Sequence, residues 1–132
     1  MHKGYIKTAA FLGALSVMLG AFAAHGLKQI ATEQTVAIFE TGVRYQFYHV
    51  FALALAALLY KTYPNKLISA SGILFMLGIG FFSGSLYALT YKTIYNINAL
   101  DGVVFLTPIG GVFFIAGWLC LSLGIKDAII KE

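Results

Sequence analysis

The chain has 132 residues, of which 60% are hydrophobic and only 11% charged, with a formal net charge of +4 and a mean hydropathy of +0.85. Soluble domains average about 45–50% apolar and about 25% charged, so this chain cannot cover itself with a polar surface. It belongs to the membrane class, where backbone groups without water to bond force long apolar runs into helices. The nine basic residues form no dense patch, which excludes a nucleic-acid partner, and the single Cys120 excludes an internal disulfide framework. The length fits one transmembrane domain over residues 1–132.

Lys3 and Lys7 precede the first apolar run, and Ala21-Phe22-Ala23 resembles a signal-peptidase site. Tyr5 to Ala24, about 20 residues, is long for a signal core and right for a span, so the segment reads as a retained first helix, about 5–25. Ser16, Gly20 and Ala24 recur at four-residue intervals, with Ala9 and Gly13 on a second stripe, a pattern that admits a close neighbouring helix. Gly26 after His25 is a natural helix stop. Thr32 and Glu33 then supply a cap and a favourable charge for a second helix, about 33–60, either continuous or bent at Gly42. His49 lies about 12 residues from Lys61, roughly 18 Å along the axis, past the middle of a roughly 30 Å hydrocarbon core.

Lys61 to Lys66, with Tyr63, Pro64 and Asn65, reads as a tight basic turn. The third span covers about 67–91, where Gly72, Gly80, Gly84 and Ala88 share an i+4 stripe and Gly80 with Gly84 gives the GxxxG spacing. Lys92 to Thr107 is the longest connection, with turn chemistry at Asn96, Asn98, Asp101 and Gly102, while Val103 to Leu106 is apolar enough to lie in the membrane interface. Thr107-Pro108 predicts the start of the fourth helix, about 107–126, Thr107 as cap and Pro108 in the first turn. The early Gly110-Gly111 predicts a close neighbour, and Ala116, Cys120 and Gly124 again fall at four-residue intervals. A short polar tail comes after Lys126.

Four spans put both termini on one side. Lys3, Lys7, Lys61, Lys66, Lys126 and Lys131 share that side, against Lys28, Arg44 and Lys92 on the other, and six against three predicts both termini in the cytoplasm. His25, Glu40, Arg44, His49, Ser83, Ser85, Tyr87, Asp101 and Thr107 then all fall toward the outer half.

Four motifs carry a resemblance: Gly20-Ala21-Phe22-Ala23-Ala24-His25-Gly26-Leu27, Thr41-Gly42-Val43-Arg44-Tyr45-Gln46-Phe47-Tyr48-His49, Phe82-Ser83-Gly84-Ser85-Leu86-Tyr87, and Thr107-Pro108-Ile109-Gly110-Gly111 with Gly117-Trp118. The chain resembles the YgdD/YwdK-like family of small bacterial inner-membrane proteins, which has eukaryotic transmembrane relatives. The resemblance covers nearly the whole chain and implies four membrane helices, the bacterial cytoplasmic (inner) membrane as location, and no established activity. Family patterns often have Gly where this chain has Ala23, a small-for-small exchange.

Glu40 and Arg44, four apart on one helix, are spaced for an ion pair, and charges within spans tend to mark functional interiors because they are costly there. His49 is read either as a satisfied core histidine, bonded to Gln46 or to the third helix, or as a proton-handling or ligand-binding group. A metal site would need His25, His49 and Glu40 to converge, which sequence spacing neither supports nor excludes. Ser83 and Ser85 with His49 as base lack the marks of an activated serine. No catalytic, metal or cofactor residue is therefore assigned.

The expectation is an all-α integral membrane four-helix bundle that is not an enzyme. Its candidate ligand-binding pocket is Arg44, Gln46, His49, Ser83 and Ser85, taking or passing a small polar ligand or lipid headgroup, with Arg44 as the anion contact. Around it His25, Glu40, Tyr45, Tyr87 and Thr107 form a candidate polar network. The alternative is a structural or accessory membrane protein in which this cluster only holds helices together. Membrane lipids, a homo-oligomer or another membrane protein are the expected partners.

Overall fold

The computed structural model describes residues 1–126, and among these all regular structure is helical. In chain order the helices are α1 Lys3–Ala24, the short α2 Gly26–Ile30, α3 Glu33–Leu59, α4 Lys66–Gly78, α5 Gly84–Tyr95 and α6 Leu106–Gly124. A π-helical segment, Ile79–Ser83, joins α4 to α5 without a break, and a 3₁₀ segment, Asn98–Phe105, precedes α6. Four helical runs are long and apolar enough to cross a membrane: Lys3–Ala24, Glu33–Leu59, Lys66–Tyr95 and Asn98–Gly124.

The helix ends obey local chemistry. Thr32 caps α3 as its spacing predicts, its hydroxyl accepting from the Thr35 N–H at 3.2 Å. Asn65 caps α4 by accepting from the Leu67 and Ile68 N–H groups at 3.0 and 3.1 Å. Asn96 ends α5 in the left-handed region at φ 53°, which a short polar side chain tolerates. Two predicted ends differ. Gly26 does not stop α1 with a positive φ; the break falls at His25, and Gly26 opens α2 with Phe22 packed so close that an added Cβ would meet its ring at 3.0 Å. Thr107 is not the cap of α6, because the helix already runs from Leu106 and the Thr107 hydroxyl is engaged by Ser85 at 2.6 Å.

One end of the bundle gathers the first residues, the 61–65 turn and the end of α6. The His2 N–H donates to the Ala57 carbonyl at 2.9 Å, the Tyr5 hydroxyl to the Ser69 carbonyl at 2.7 Å, and the Asn65 amide to the Gly124 carbonyl at 2.8 Å. This basic end carries Lys3, Lys7, Lys61, Lys66 and Lys126 and no acidic residue among the described residues; Lys28, Glu33, Glu40, Arg44, Lys92 and Asp101 belong to the far end. Lys131 and the polar tail expected after Lys126 lie outside the described residues.

α3 is continuous, and Gly42 is a contact rather than a bend: an added Cβ would lie 2.8 Å from the Tyr87 ring. On α1 the two small-residue stripes merge into one seam against α3, with Ala9, Ser16 and Ala23 buried, Gly13 facing Val50 and Gly20 facing Val43. Ala24 is exposed, because spacings alternating four and three track the helix better than repeated fours. The same alternation defines the buried face of α6: Gly110, Phe114, Gly117, Leu121 and Gly124. The expected Ala116 and Cys120 flank it.

The third span departs most from its pattern. Gly72 is pressed against Tyr5 and Gly78 against Phe114, but a Cβ added at Gly80 or Gly84 would meet nothing within 4 Å, so among the described residues the GxxxG pair marks no close helix contact. Steps of four drift by about 40° each on a helix of 3.6 residues per turn, so Gly80 and Gly84 stand roughly 80° and 120° round from Gly72, the drift that also leaves Ala24 exposed on α1. The predicted close neighbour of Gly110 is the π segment itself, since an added Cβ would lie 2.7 Å from the Phe82 Cα; Gly111 has none.

Candidate functional site

Two apolar cores fill the bundle. Toward the basic end lie Leu53, Ala56, Ile68, Phe75 and their neighbours, and toward the far end Ala23, Leu27, Val36, Phe39 and Val43. Between Val43 and Val50, where the two cores meet on α3, sit Gln46 and His49, 2% and 4% exposed. Polar groups at that depth need partners, and each has them on other helices.

Gln46 uses both ends of its amide. Nε2 donates to the Leu12 carbonyl of α1 at 3.2 Å, and Oε1 accepts from the Tyr87 hydroxyl of α5 at 2.7 Å. His49 is held similarly. Trp118 of α6 donates its indole N–H to Nε2 at 3.1 Å, and an indole can only donate. Nε2 therefore accepts, the ring proton sits on Nδ1, and Nδ1 donates to the Tyr45 carbonyl at 2.7 Å. The ring is stacked on Phe114 with centroids 3.5 Å apart. Both ring nitrogens are thus bonded within the protein.

The serines close the arrangement. Ser83, fully buried at the end of the π segment, donates to the Gly42 carbonyl of α3 at 2.7 Å. Ser85 donates to the Phe82 carbonyl at 2.8 Å and shares a 2.6 Å bond with Thr107 of α6. Among the described residues no buried side-chain nitrogen or oxygen lacks a partner.

Of the candidate pocket, Gln46, His49, Ser83 and Ser85 are thus brought into one belt, and Tyr87 and Thr107 join it from the surrounding set. Arg44 does not: it is exposed, and it makes no ion pair with Glu40. The ion pair found among the described residues is Lys92 with Asp101 at 3.1 Å, which ties the 3₁₀ segment to α5. Tyr45 contributes its backbone carbonyl while its ring packs on Phe82 at 4.6 Å. His25 is exposed at the α1–α2 junction, and Glu40 lines a cleft of about 420 Å³ with Lys28 and Glu33. His25, His49 and Glu40 do not converge, and no group of three metal-binding side chains occurs among the described residues. Neither serine bonds His49: its nitrogens bond Tyr45 and Trp118, while Ser83 bonds Gly42 and Ser85 bonds Phe82 and Thr107.

Two partners escape a reading of the sequence. Trp118 stands in the fourth motif with no role assigned to it, although an indole N–H inside an apolar span usually finds an acceptor. The Leu12 carbonyl, which also accepts from Ser16 at 2.7 Å, carries no side-chain signal at all.

Buried polar pairs joining four long apolar helices define a multi-pass α-helical membrane protein. A family described as "Protein of unknown function (DUF423)" matches residues 19–111, which include the first three motifs and the Thr107 to Gly111 part of the fourth. The chain is 40% identical over 124 residues to a UPF0382 membrane protein of Haemophilus influenzae, covering 94% of each chain. It is 37% identical to the UPF0382 membrane protein YwdK of Bacillus subtilis, covering 90% of this chain and 93% of the relative. With the UPF0382 inner membrane protein YgdD of Escherichia coli it shares 34% identity over 88% of this chain and 84% of the relative. No solved structure matches. The chain belongs to this DUF423 family of membrane proteins, as its motifs implied.

Proposed function

We propose that this chain is a non-enzymatic structural or accessory protein of the bacterial inner membrane, in which the polar belt fastens helix to helix and a membrane component is the partner. The observation that carries this reading is the saturation of the belt. Five bonds of the belt cross between helical segments: Gln46 to Leu12, Tyr87 to Gln46, Ser83 to Gly42, Trp118 to His49, and Ser85 to Thr107. A binding pocket keeps donors or acceptors turned toward its ligand; here they are spent on neighbouring helices, with α3 as the hub. The excess of lysine at the basic end supports cytoplasmic termini.

The competing reading places a small polar ligand or lipid headgroup in the far half of the bundle. It draws on Arg44, whose exposed guanidinium is suited to an anion. Thermal unfolding of the detergent-purified protein, scanned against lipids, anions and metals, separates the two. The structural reading expects His49→Ala to lower the midpoint strongly, Arg44→Ala to leave it unchanged, and no ligand to raise it through the far half. A ligand-induced rise that Arg44→Ala abolishes would establish binding there instead.

A further inference from the structure

The faces of α1 and α3 that turn outward enclose a groove of about 380 Å³ in the half of the bundle nearer the basic end. Its lining is wholly apolar: Ala10 and Gly13 are small enough to leave a channel, Phe47 and Phe51 stand along the α3 side, and Ile6 and Val17 mark its two ends on α1. At Gly13 an alanine would meet Val50 at an ordinary 3.5 Å, so the approach of the two helices there does not need a glycine. The groove is therefore a space the helix packing does not consume.

Its ends differ chemically. One turn before Ile6, on the same spacing that places Ile6, Ala10, Gly13 and Val17 together on α1, stands the exposed Lys3; on α3 the lining ends at Ala54, and the helix runs on toward the turn that carries the exposed Lys61, with exposed Lys7 close by in sequence to Ile6. No acidic residue belongs to this end among the described residues. The eleven steps from Ile6 to Val17 span about 16 Å at 1.5 Å per residue, which matches one leaflet of a roughly 30 Å hydrocarbon core. An apolar channel one leaflet deep, opening beneath lysines, fits a molecule with an apolar chain and a negative head.

We propose that the α1–α3 groove is a binding site for an anionic phospholipid, one acyl chain lying between Ile6 and Val17 and the phosphate meeting Lys3 and Lys61. Charge complementarity selects this occupant over a second copy of the chain, whose equivalent end would bring lysines against lysines in a parallel pair. The site lies at the opposite end from Arg44 and does not depend on the polar belt.

Native mass spectrometry of the full chain in detergent, titrated with phosphatidylglycerol and with phosphatidylcholine of the same acyl chains, tests it. Phosphatidylglycerol should bind more tightly, and Lys3→Gln and Lys61→Gln should each weaken it about fivefold, the effect of one lysine at an anionic surface. Ala10→Phe should displace the lipid by filling the channel, while Ala14→Phe, on the exposed side of α1 outside the groove, should not. Equal affinity for the two lipids overturns the proposal. So does undiminished binding to Ala10→Phe, which reduces the effect to surface charge, or conversion of a dimer to a monomer by Ala10→Phe, which makes a second copy the occupant. A photoactivatable phosphatidylglycerol adds a readout that needs no variant: crosslinks should concentrate on the segments around Ala10 and Phe51, and an even spread over α1 and the exposed Val112 and Leu119 of α6 refutes a defined site.

Discussion

Gln46→Leu tests whether the belt is one coupled unit. Leucine keeps most of the side-chain volume and removes both hydrogen bonds. The bond to Leu12 should be worth about 0.6 kcal/mol, the average for such bonds in a membrane bundle, and Leu12 keeps its Ser16 donor. The Tyr87 hydroxyl, however, loses its acceptor at 2.7 Å, and stranding a polar group adds about 1–3 kcal/mol. The expected loss is therefore about 1.5–3.5 kcal/mol. Tyr87→Phe strands Gln46 Oε1 instead and should cost about 1–3 kcal/mol. The double variant strands neither group and should cost only about 1 kcal/mol, less than the sum of the single losses. Unfolding in mixed micelles, monitored by circular dichroism and by the fluorescence of the single Trp118, supplies the three free energies. If the double variant equals the sum of the singles to within about 0.5 kcal/mol, Gln46 and Tyr87 are uncoupled and the belt is not one unit.

Two more outcomes arise from contacts elsewhere. Gly110→Ala places a Cβ against the Phe82 backbone and should cost about 1–3 kcal/mol as α6 is forced away, whereas Gly80→Ala and Gly84→Ala meet nothing within 4 Å and should be neutral or stabilising by up to about 1 kcal/mol; equal losses in the same unfolding assay would refute the packing. Asn65→Ala removes both the α4 cap and the bond to Gly124 and should cost about 1–2 kcal/mol, while Asn65→Asp keeps the cap acceptor and loses the donor; hydrogen exchange at the end of α6 should quicken in both, and unchanged exchange in Asn65→Asp would show that the Gly124 bond is not formed.

The spans are legible in the sequence because their signal is length and apolarity, which the bilayer demands and which no local detail overrides. The close approach at Gly110 is also legible, since a glycine pair early in a helix has few other reasons to exist. The π segment is not. Ile79 to Ser83 is as apolar and unbroken as the turns before it, and what favours the extra residue is tertiary: Ser83 reaching the Gly42 carbonyl and the Phe82 backbone meeting Gly110. A stripe of repeated fours drifts by about 40° per step, which is why Gly80 and Gly84 do not share the face of Gly72. In the belt, Gln46, His49 and the serines stand out as polar residues in apolar runs, but their partners are a backbone carbonyl, a tyrosine 41 residues away and a tryptophan 69 residues away. Arg44 draws attention by charge alone, and its exposure beside the buried Val43 and Gln46 shows that charge and depth are separate signals.

The position of the belt accounts for its composition. α1 and α3 meet along a seam of small residues, with Ala9, Gly13, Ser16, Gly20 and Ala23 opposed to Val43 and Val50. In lipid such a seam has no hydrophobic driving force of its own, because the acyl chains offer the same contacts. Close packing of apolar faces therefore leaves the helices free to slide by a turn at little cost. A Gln46 amide that must find the Leu12 carbonyl on one side and the Tyr87 hydroxyl on the other satisfies both at a single register. His49 does the same for α6, since a slide of one turn, about 5.4 Å, would carry its ring off Phe114 and out of reach of the Trp118 N–H. The belt thus selects one arrangement among packings that apolar contact alone would leave nearly equal, and that is the work expected of polar residues whose every donor and acceptor is turned toward another helix.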